Sequence, residues 1–377
     1  MSGKKNVRKS IPESVRMQLW GRAAGRCQFD GCNRILWRDD LTKAEFNSSY
    51  VAHIVADSPT GPRGHATDSE RFEKEMSNLM LMCDVHHRMI DNDVLTYTVE
   101  RLREMKQIHE ERLELLTGIC PDKITQMILF GANIGEQNAM LNENAAKQAI
   151  IPDRYPTVRP IMLGMTNSVL RDDNSEYWSA EVYNLEHQYS QKIHERLMIG
   201  EIRHMSVFGI APQPLLIKLG SLMTDIHEVQ VHQLHREPQS WRWREHREDK
   251  AFIINEPNQR FITVALKVSL SARISDERVM NVLGPDVSIW ELTSDSFGYS
   301  VISSKEDLSS LRQKIRELYA RIKEVHGEID ALHVFPAMPV SAAIEFGRVR
   351  NPKADVPLVI YDRNKTADKF ESTIRIR

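Results

Sequence analysis

The distribution of hydrophobic and polar positions predicts a long amphipathic helix in the C-terminal half of the chain. Between residues 308 and 325, apolar side chains recur every three or four positions, which is the spacing of a helix that buries one face. Ser304 and Asp307 have the spacing of a capping box at the start of this helix, and Gly327 is expected to end it. This apolar stripe is interpreted as core.

A second amphipathic helix is predicted in the N-terminal third. Thr98 is a suitable N-cap for it, and Gly118 is expected to stop it. Its apolar face is predicted to consist of Leu102, Met105, Ile108, the stem of Arg112, Leu113 and Leu116.

Two segments of the C-terminal half share the order strand, proline-rich turn, helix, strand. Such β–α–β units join parallel strands through a right-handed crossover, so the pair predicts a duplicated, Rossmann-like α/β architecture. A further strand is predicted over 260–270. The first unit is predicted as strand 205–211, turn 212–214, helix 215–224 and strand 228–235, and the second as strand 331–335, turn 336–339, helix 340–347 and strand 357–361.

The length of 377 residues exceeds one ordinary hydrophobic core, so two domains are expected. The hydrophobic pattern weakens between Pro121 and Pro156, where Asn, Gln and Ala cluster. We therefore predict an N-terminal domain over 1–118, a partly helical linker over 119–157 and a C-terminal α/β domain over 158–377.

The composition is that of a globular protein, with 41% hydrophobic and 27% charged residues and a formal net charge of −2. We find neither an apolar run of about eighteen residues nor a signal peptide, so a cytoplasmic protein without a membrane partner is expected. Nucleic-acid binding would depend on local basic surface. The N-terminal stretch concentrates such charge, although a solvated tail is an equal interpretation: Lys4, Lys5, Arg8, Lys9, Arg16, Arg22 and Arg26.

Four residues of the N-terminal third have the spacing of zinc ligands. Cys27 and Cys32 form a short knuckle, and Cys83 and His86 supply a second pair. Together they would complete a closed tetrahedron that stabilises folding. The alternative is that the cysteines are buried thiols, and Cys120 is interpreted as an inert residue.

His86 and His87 are expected to serve different purposes. Neighbouring positions of a helix point about 100° apart. If His86 completes the zinc site, His87 is therefore available for a second, catalytic cation.

Three short segments of this region resemble the boxes of HNH endonucleases. They are VAHI at 51–54, NLMLMC at 78–83 and HH at 86–87, and residues 97–110 resemble the helix that follows many such domains. The resemblance covers about a hundred residues. It implies an α+β domain of the ββα-metal (HNH) type with structural Zn²⁺, which cuts double-stranded DNA.

By this resemblance, His53 is the general base that activates the attacking water. Asn78 would fix the loop that carries His53, and His87 would hold Mg²⁺ or a similar divalent cation. The alternatives are a core histidine at 53 and a structural asparagine at 78.

Many HNH enzymes carry an acidic metal ligand at the position just before the general base. In this sequence that position is Ala52. The cation would instead be held by His87 together with Asp57, His65 or water. In the turn-rich loop 58–64, Arg63 is positioned either to contact a phosphate or to lie on a plain surface loop.

Segments 208–216, 230–243, 333–350 and 357–362 resemble SAVED domains, and this resemblance covers about 158–377. It implies an α/β domain of two fused CARF-type, Rossmann-like units that binds cyclic oligonucleotides. The whole chain therefore resembles an HNH–SAVED effector endonuclease of the bacterial CBASS anti-phage systems.

The ligand of such a domain is expected beyond the carboxyl ends of the strands, where both proline-rich turns fall. Helix N-termini there offer N–H groups to phosphates, and tryptophans could stack a base. The alternatives are core packing for the tryptophans and ordinary loop chemistry for the turns. The predicted ligand-binding residues are Pro212, Gln213, Arg236, Trp241, Trp243, Met338 and Pro339.

The combined expectation is a nuclease that a cyclic di- or trinucleotide activates through self-association into a homo-oligomer. A ligand-independent restriction-type nuclease with a base-reading C-terminal domain is the first alternative. A zinc-structured DNA-binding sensor with an inactive catalytic centre, suggested by Ala52, is the second.

Overall fold

The computed structural model describes residues 10–135, 141–165, 170–224, 226–245, 248–364 and 368–377. The chain forms two compact units, Met1–Cys120 and Pro121–Arg377. Across these described ranges, none of the helices combines the length and apolar character needed to span a bilayer. The basic residues predicted at 4, 5, 8 and 9 lie outside the described part of the chain.

The first unit is built on an antiparallel β-hairpin followed directly by a helix. Ser49 pairs with Cys83 and His53 with Leu79, so the two strands run in opposite directions over their full length. A short 3-10 turn, Met76–Asn78, precedes the second strand. The elements of this unit are α1 (Glu13–Arg22), β1 (Ser49–His53), α2 (Asp68–Phe72), β2 (Leu79–Cys83), α3 (Asp84–Asn92) and α4 (Val99–Thr117).

The core of the first unit lies under β2, whose five residues are all buried. Helix α4 begins and ends as predicted, since the Thr98 side chain accepts a hydrogen bond from Arg101 N and Gly118 is the C-cap. Its predicted apolar face is wrong in part. Ile108 is 57% exposed, whereas His109 on the neighbouring position is buried, because the imidazole reaches the carbonyl of Ala23.

The second unit contains two sheets. The first sheet is parallel, and the second has a parallel centre with antiparallel edges. Its helices are α5 (Glu143–Ile150), α6 (Ser175–Tyr189), which continues as the π-helix Ser190–His194, α7 (Glu195–Met198), α8 (Gln213–Met223), α9 (Asp276–Leu283), α10 (Lys305–His326) and α11 (Val340–Val349), and the 3-10 turn Pro121–Lys123 opens the unit.

The strands divide between the sheets in chain order. A two-stranded antiparallel ribbon lies between the two groups of strands along the chain. The first sheet contains β3 (Ile124–Gly131), β4 (Tyr155–Pro156), β5 (Ile161–Leu163), β6 (His204–Ile210) and β7 (Glu228–Val231); the ribbon is β8 (His235–Arg236) and β9 (Gln239–Ser240); the second sheet contains β10 (Phe252–Asn255), β11 (Thr263–Ser269), β12 (Val287–Ser294), β13 (Leu332–Ala337), β14 (Leu358–Asn364) and β15 (Lys369–Ile376).

The prediction of a linker over 119–157 is wrong. Strand β3 lies inside the first sheet and pairs with β6 on one side and with β4 and β5 on the other. Six of its eight residues are buried. The folded C-terminal unit therefore begins near Pro121, since removing β3 would leave the first sheet without its central strand.

The duplicated strand–turn–helix–strand unit is confirmed. Strands β6 and β7, joined by α8, are parallel, and so are β13 and β14, joined by α11. Strand β7 ends at Val231 rather than near 235. The two sheets of the second compact unit therefore each have one crossover helix, α8 in the first and α11 in the second. The long helix α10 also begins with the predicted capping box of Ser304 and Asp307.

The two crossover helices pack unusually closely on each other. A Cβ atom added to Gly220 of α8 would lie 1.9 Å from Ile344 O of α11. A Cβ atom added to Gly347 of α11 would lie 1.9 Å from Ile217 O of α8. The two contacts are reciprocal, with the glycine three residues after the carbonyl in both helices. Two glycines therefore let the backbones of the two halves touch.

Candidate functional site

Three cysteines and one histidine of the first unit converge as the sequence predicted. The ligand atoms of Cys27, Cys32, Cys83 and His86 all lie within 4.8 Å of one another. His86 Nδ1 is 3.7 Å from Cys27 Sγ and 3.2 Å from Cys83 Sγ. Ligand atoms of a tetrahedral zinc site lie about 3.5–3.8 Å apart, given its Zn–S and Zn–N bond lengths. The spacing of the cluster is therefore close to that of a zinc site.

Local structure places each member of this Cys/His cluster. The knuckle turns at Gly31, which has a φ of 74°, a conformation that favours glycine. Cys83 ends β2, and His86 lies in the first turn of α3. The His86 ring stacks on Phe29 with the centroids 4.0 Å apart, which fixes its orientation towards the thiols.

The chemistry of the cluster also suits a cation. Burial raises the pKa of the Cys27 thiol to about 12, although Cys83 N donates a hydrogen bond to its sulfur. Burial also lowers the pKa of His86. A divalent cation would reverse the cost of burying the thiolates, because it supplies the positive charge that they require. The residues present thus fit Zn²⁺.

A separate cavity of about 560 Å³ borders α3 at His87 and Asp91. It contains His53 from the end of β1 and His87 from α3, together with Asp57. His86 and His87 therefore point to different sites, as expected for neighbouring helical residues. The other lining residues are Ser10, Ile11, Arg16, Ser49, Tyr50, Val51, Ala56, Pro62 and Asp91.

The hydrogen bond of His53 determines which of its nitrogens is free. His53 Nε2 lies 3.0 Å from the carbonyl oxygen of Glu73. A carbonyl can only accept, so in the neutral imidazole Nε2 carries the proton and Nδ1 holds the lone pair. This arrangement leaves Nδ1 able to take a proton.

Asn78 holds the chain that follows His53. Its Oδ1 accepts from Val55 N at 2.8 Å, and its Nδ2 donates to Val55 O at 2.8 Å. The same Nδ2 donates to Phe72 O, and the side chain is buried. These three bonds use both donors of a buried amide and one lone pair of its oxygen, and they tie the loop after β1 and the end of α2 to the turn before β2.

Asp91 is a residue that the sequence interpretation missed. Its Oδ2 is 3.8 Å from His87 Nε2, four residues earlier on α3, and the His87 ring stacks on Tyr50. The His-x3-Asp spacing, which places both side chains on one helix face, was the available signal. Asp91 and His87 are therefore a pair of neighbouring imidazole and carboxylate groups in the cavity.

The other positions considered for the cation differ in their suitability. Asp57 lines the cavity. His65 instead lies beside Asp68, with its Nδ1 3.3 Å from that carboxylate. Ala52 is 1% exposed and packs in the hydrophobic core, so its position does not face the cavity.

In the second unit, the two predicted proline-rich turns meet. Gln213 Oε1 accepts a hydrogen bond from Met338 N at 3.0 Å. Pro212 and Pro339 are the N-caps of α8 and α11, respectively. Four of the seven predicted ligand-binding residues are thus brought together at the N-termini of the two crossover helices.

A second glutamine, which the sequence interpretation did not assign, makes an equivalent link. Gln233 Oε1 accepts from Ser341 Oγ at 2.6 Å and from Ser341 N at 3.2 Å. Both residues are buried. The sequence indicated Gln233 only by its position after β7, within the segment 230–243 that resembles SAVED domains.

The prediction that Trp241 stacks a ligand base is wrong. The side chain is 3% exposed and packs edge-on against Phe208, inside a buried cluster that also contains Met127 and Leu129. Trp243 is partly buried against the core, beside His235. The guanidinium of Arg236 lies 3.6 Å from the ring centroid of Tyr299, a cation–π contact that leaves it at the surface.

Comparison with known proteins identifies the second unit. The family profile of the SAVED domain, described as the "SMODS-associated and fused to various effectors sensor domain", matches residues 185–376. No curated protein matches the chain.

Solved structures with a similar fold are SAVED/CARF-domain containing receptors. Two are Cap4 of Acinetobacter baumannii with the cyclic trinucleotides 2′3′3′-cAAA and 3′3′3′-cAAA, each 13% identical, with TM-scores of 0.44 and 0.45 over 77% of this chain and 61% of that chain. Cap4 of Moraxella osloensis is 13% identical, with a TM-score of 0.42 over 83% of this chain and 66% of that chain. The present chain thus spans about three fifths of the length of the Acinetobacter receptors. From the family match over half of its length, the chain belongs to the SAVED sensor-domain family.

Proposed function

We propose that this chain is a sensor-gated endonuclease of the CBASS anti-phage type. In this proposal, the SAVED unit binds a cyclic oligonucleotide, and the first unit then hydrolyses double-stranded DNA with a divalent cation. The observation that carries the nuclease part is that His53, His87 and Asp91 line one cavity, beside a separate cluster whose spacing is close to that of a zinc site.

His53 would act as the general base. Its Nδ1 would take a proton from the attacking water, while the bond from Nε2 to Glu73 O holds the ring in place. Asn78 would maintain the position of this base, because it fixes both backbone groups of Val55, two residues further along the chain. Both contacts support an HNH-type role for these residues.

The cation would be held by His87 and Asp91, with Asp57 as a further ligand from the loop. Imidazole and carboxylate are donors that suit Mg²⁺ or a similar ion, completed by water. When bound, the cation would stabilise negative charge on the phosphate and on the leaving oxygen. Arg16 lines the same cavity and would attract the DNA backbone.

The Cys/His cluster would have a structural role. A tetrahedral Zn²⁺ bound by four protein ligands has no open position for a substrate. It would tie the knuckle at Cys27 and Cys32 to the end of β2 and the start of α3. His87 lies one residue beyond the ligand His86, so this zinc would hold the helix that carries the catalytic cation.

The ligand of the SAVED unit would be a cyclic oligonucleotide at the joined turns. The N-termini of α8 and α11 converge there, and the positive ends of their helix dipoles favour phosphates. The Acinetobacter receptors carry cyclic triadenylates, so these are the first ligands to test. Ligand binding would drive self-association into a homo-oligomer, which brings two nuclease units to the two strands of DNA.

Plasmid cleavage with Mg²⁺ tests this function. Cleavage is expected only when a cyclic di- or trinucleotide is added, and it should vanish in His53→Ala. Cleavage without any nucleotide would reject activation by the cyclic nucleotide and favour a restriction-type nuclease. Light scattering provides the test of self-association, because the particle mass should increase with the activating nucleotide.

A further inference from the structure

The loop between β1 and α2 places one arginine side chain between the end of β1 and the end of α3, two elements that contribute residues to the cavity. Arg63 has a φ of 58°, which is uncommon for a residue with a side chain. The following residue must be small, because a Cβ atom on Gly64 would lie 2.4 Å from Ser58 O. This tight turn directs the Arg63 side chain inwards, where it is only 4% exposed. The sequence hypothesis that Arg63 contacts a phosphate is therefore wrong.

The buried guanidinium of Arg63 joins two elements of the first unit. On the β1 side, Nε donates to Ile54 O at 2.8 Å and Nη2 donates to His53 O at 3.4 Å. On the α3 side, Nη1 donates to Ile90 O, and Nη2 donates to Asp91 Oδ1 at 2.9 Å. One planar group therefore holds the end of the strand and the end of the helix at a fixed separation.

The two elements that Arg63 joins carry the two halves of the proposed chemistry. His53 lies at the end of β1, and His87 lies one turn before Asp91 on α3. The bond to Asp91 Oδ1 also leaves Oδ2 directed towards His87 Nε2. One side chain therefore contacts both this carboxylate and the end of the strand that carries the base.

We propose that Arg63 is a positioning residue, which sets the geometry between His53 and the His87–Asp91 pair without contacting substrate. This inference rests on the proposed nuclease function. A misplacement of about 1 Å costs roughly 100-fold in rate, so the loss of Arg63 should lower kcat about 100-fold with a smaller change in KM.

The test uses Arg63→Gly in the full chain, because glycine tolerates the positive φ and leaves space for a free guanidinium ion. The variant is expected to lose kcat, and guanidinium at non-denaturing concentrations should restore it in part. Arg63→Lys should not retain the wild-type kcat, because the lysine ammonium lacks the planar set of donors of a guanidinium. Arg88→Ala is the matched control, because this exposed arginine of α3 pairs with Asp84 at the surface.

Binding of Mn²⁺, followed by electron paramagnetic resonance, separates this inference from the proposed function. If the wild type binds Mn²⁺ at least tenfold more tightly than Arg63→Gly, the positioning role of Arg63 is supported. This conclusion holds even if the wild type cuts no DNA. The inference is overturned if Arg63→Gly matches the wild type in both kcat and Mn²⁺ affinity. The inference is also overturned if Arg63→Gly loses zinc and helix content in proportion to its activity and guanidinium restores no activity. That result is expected of a purely structural residue. A wild type that neither cuts nor binds Mn²⁺ would reject both proposals.

Discussion

The side-chain oxygen of Gln213 accepts a hydrogen bond from the backbone N–H of Met338, across 125 positions of sequence. The two residues belong to equivalent turns of the two halves of the SAVED unit, each at the start of a crossover helix. The bond therefore links the two places at which the sequence predicted ligand contacts.

The first prediction follows from this bond. Gln213→Leu removes the acceptor and leaves Met338 N without its partner, so the two turns should separate. The affinity for the activating cyclic oligonucleotide is expected to fall about tenfold, which corresponds to one buried hydrogen bond of about 1.4 kcal/mol. Calorimetric titration measures this change. Gln259→Leu, at an exposed position, is the control, and an unchanged affinity of Gln213→Leu would place the ligand elsewhere.

The reciprocal glycine contacts give a second prediction. An alanine at Gly220 or Gly347 must push α8 and α11 apart, because its Cβ would lie 1.9 Å from a backbone oxygen. Each substitution should destabilise the SAVED unit by about 3 kcal/mol, as overpacking does, and thermal unfolding would show the loss. Gly21→Ala is the contrasting control, because its Cβ meets no atom within 4 Å and alanine favours a helix.

The sequence predicted those features that short spacing encodes. Each pair of zinc-ligand candidates, the capping box at Ser304 and each copy of the β–α–β unit depends on residues close together in the chain. Strand β3 was missed because Thr125 and Gln126 interrupt its apolar run. Their polarity is satisfied inside the sheet, where Thr125 Oγ1 bonds His204 and Ser206 and Gln126 donates to Arg159 O.

Through-space relationships were beyond a single sequence. Trp241 looked like a stacking platform until its burial against Phe208 was visible. Arg63 looked like a surface cation, although its four acceptors come from two elements that are distant in the chain. The role of such residues depends on which groups surround them, and local patterns carry no information about that.

The third prediction concerns the cation site of the first unit. Asp91→Asn keeps an oxygen donor but removes the negative charge beside His87. The Mg²⁺ concentration for half-maximal cleavage should rise about tenfold, because a hard cation prefers a carboxylate. Titration of plasmid cleavage with Mg²⁺ measures this. Asp84→Asn, on the same helix but paired with Arg88 at the surface, should behave as wild type; equal Mg²⁺ dependence in both variants would exclude Asp91 as a ligand.

The fourth prediction concerns the Cys/His cluster. The purified protein is expected to contain one zinc ion per chain by atomic absorption, and Cys83→Ser should contain none. Because structural zinc supplies folding free energy, that variant should also lose the thermal transition of the first unit while retaining that of the SAVED unit. Cys120→Ser is the matched control, since this cysteine is exposed and lies outside the cluster. Full zinc content in Cys83→Ser would contradict the assignment.

The fifth prediction arises from a buried carboxyl of the SAVED unit. Glu181 of α6 is 1% exposed, and neither of its oxygens has a hydrogen-bond partner within the described part of the chain. Burial raises its pKa from 4.5 to about 7. The folded state therefore favours the protonated acid. The stability that this group contributes is present below about pH 4.5 and is lost as the pH rises from 4.5 to about 7.

Glu181→Gln should remove this pH dependence, because an amide remains uncharged at every pH. The variant is expected to be more stable than the wild type by about 2 kcal/mol at pH 8 and nearly equal to it at pH 4.5. Denaturant unfolding at both pH values measures the difference. Glu176→Gln is the control on the same helix, where the exposed carboxylate lies in the first turn and interacts favourably with the helix dipole. It should lose a few tenths of a kcal/mol at pH 8, so a gain in both variants would argue for a general charge effect rather than for the burial of Glu181.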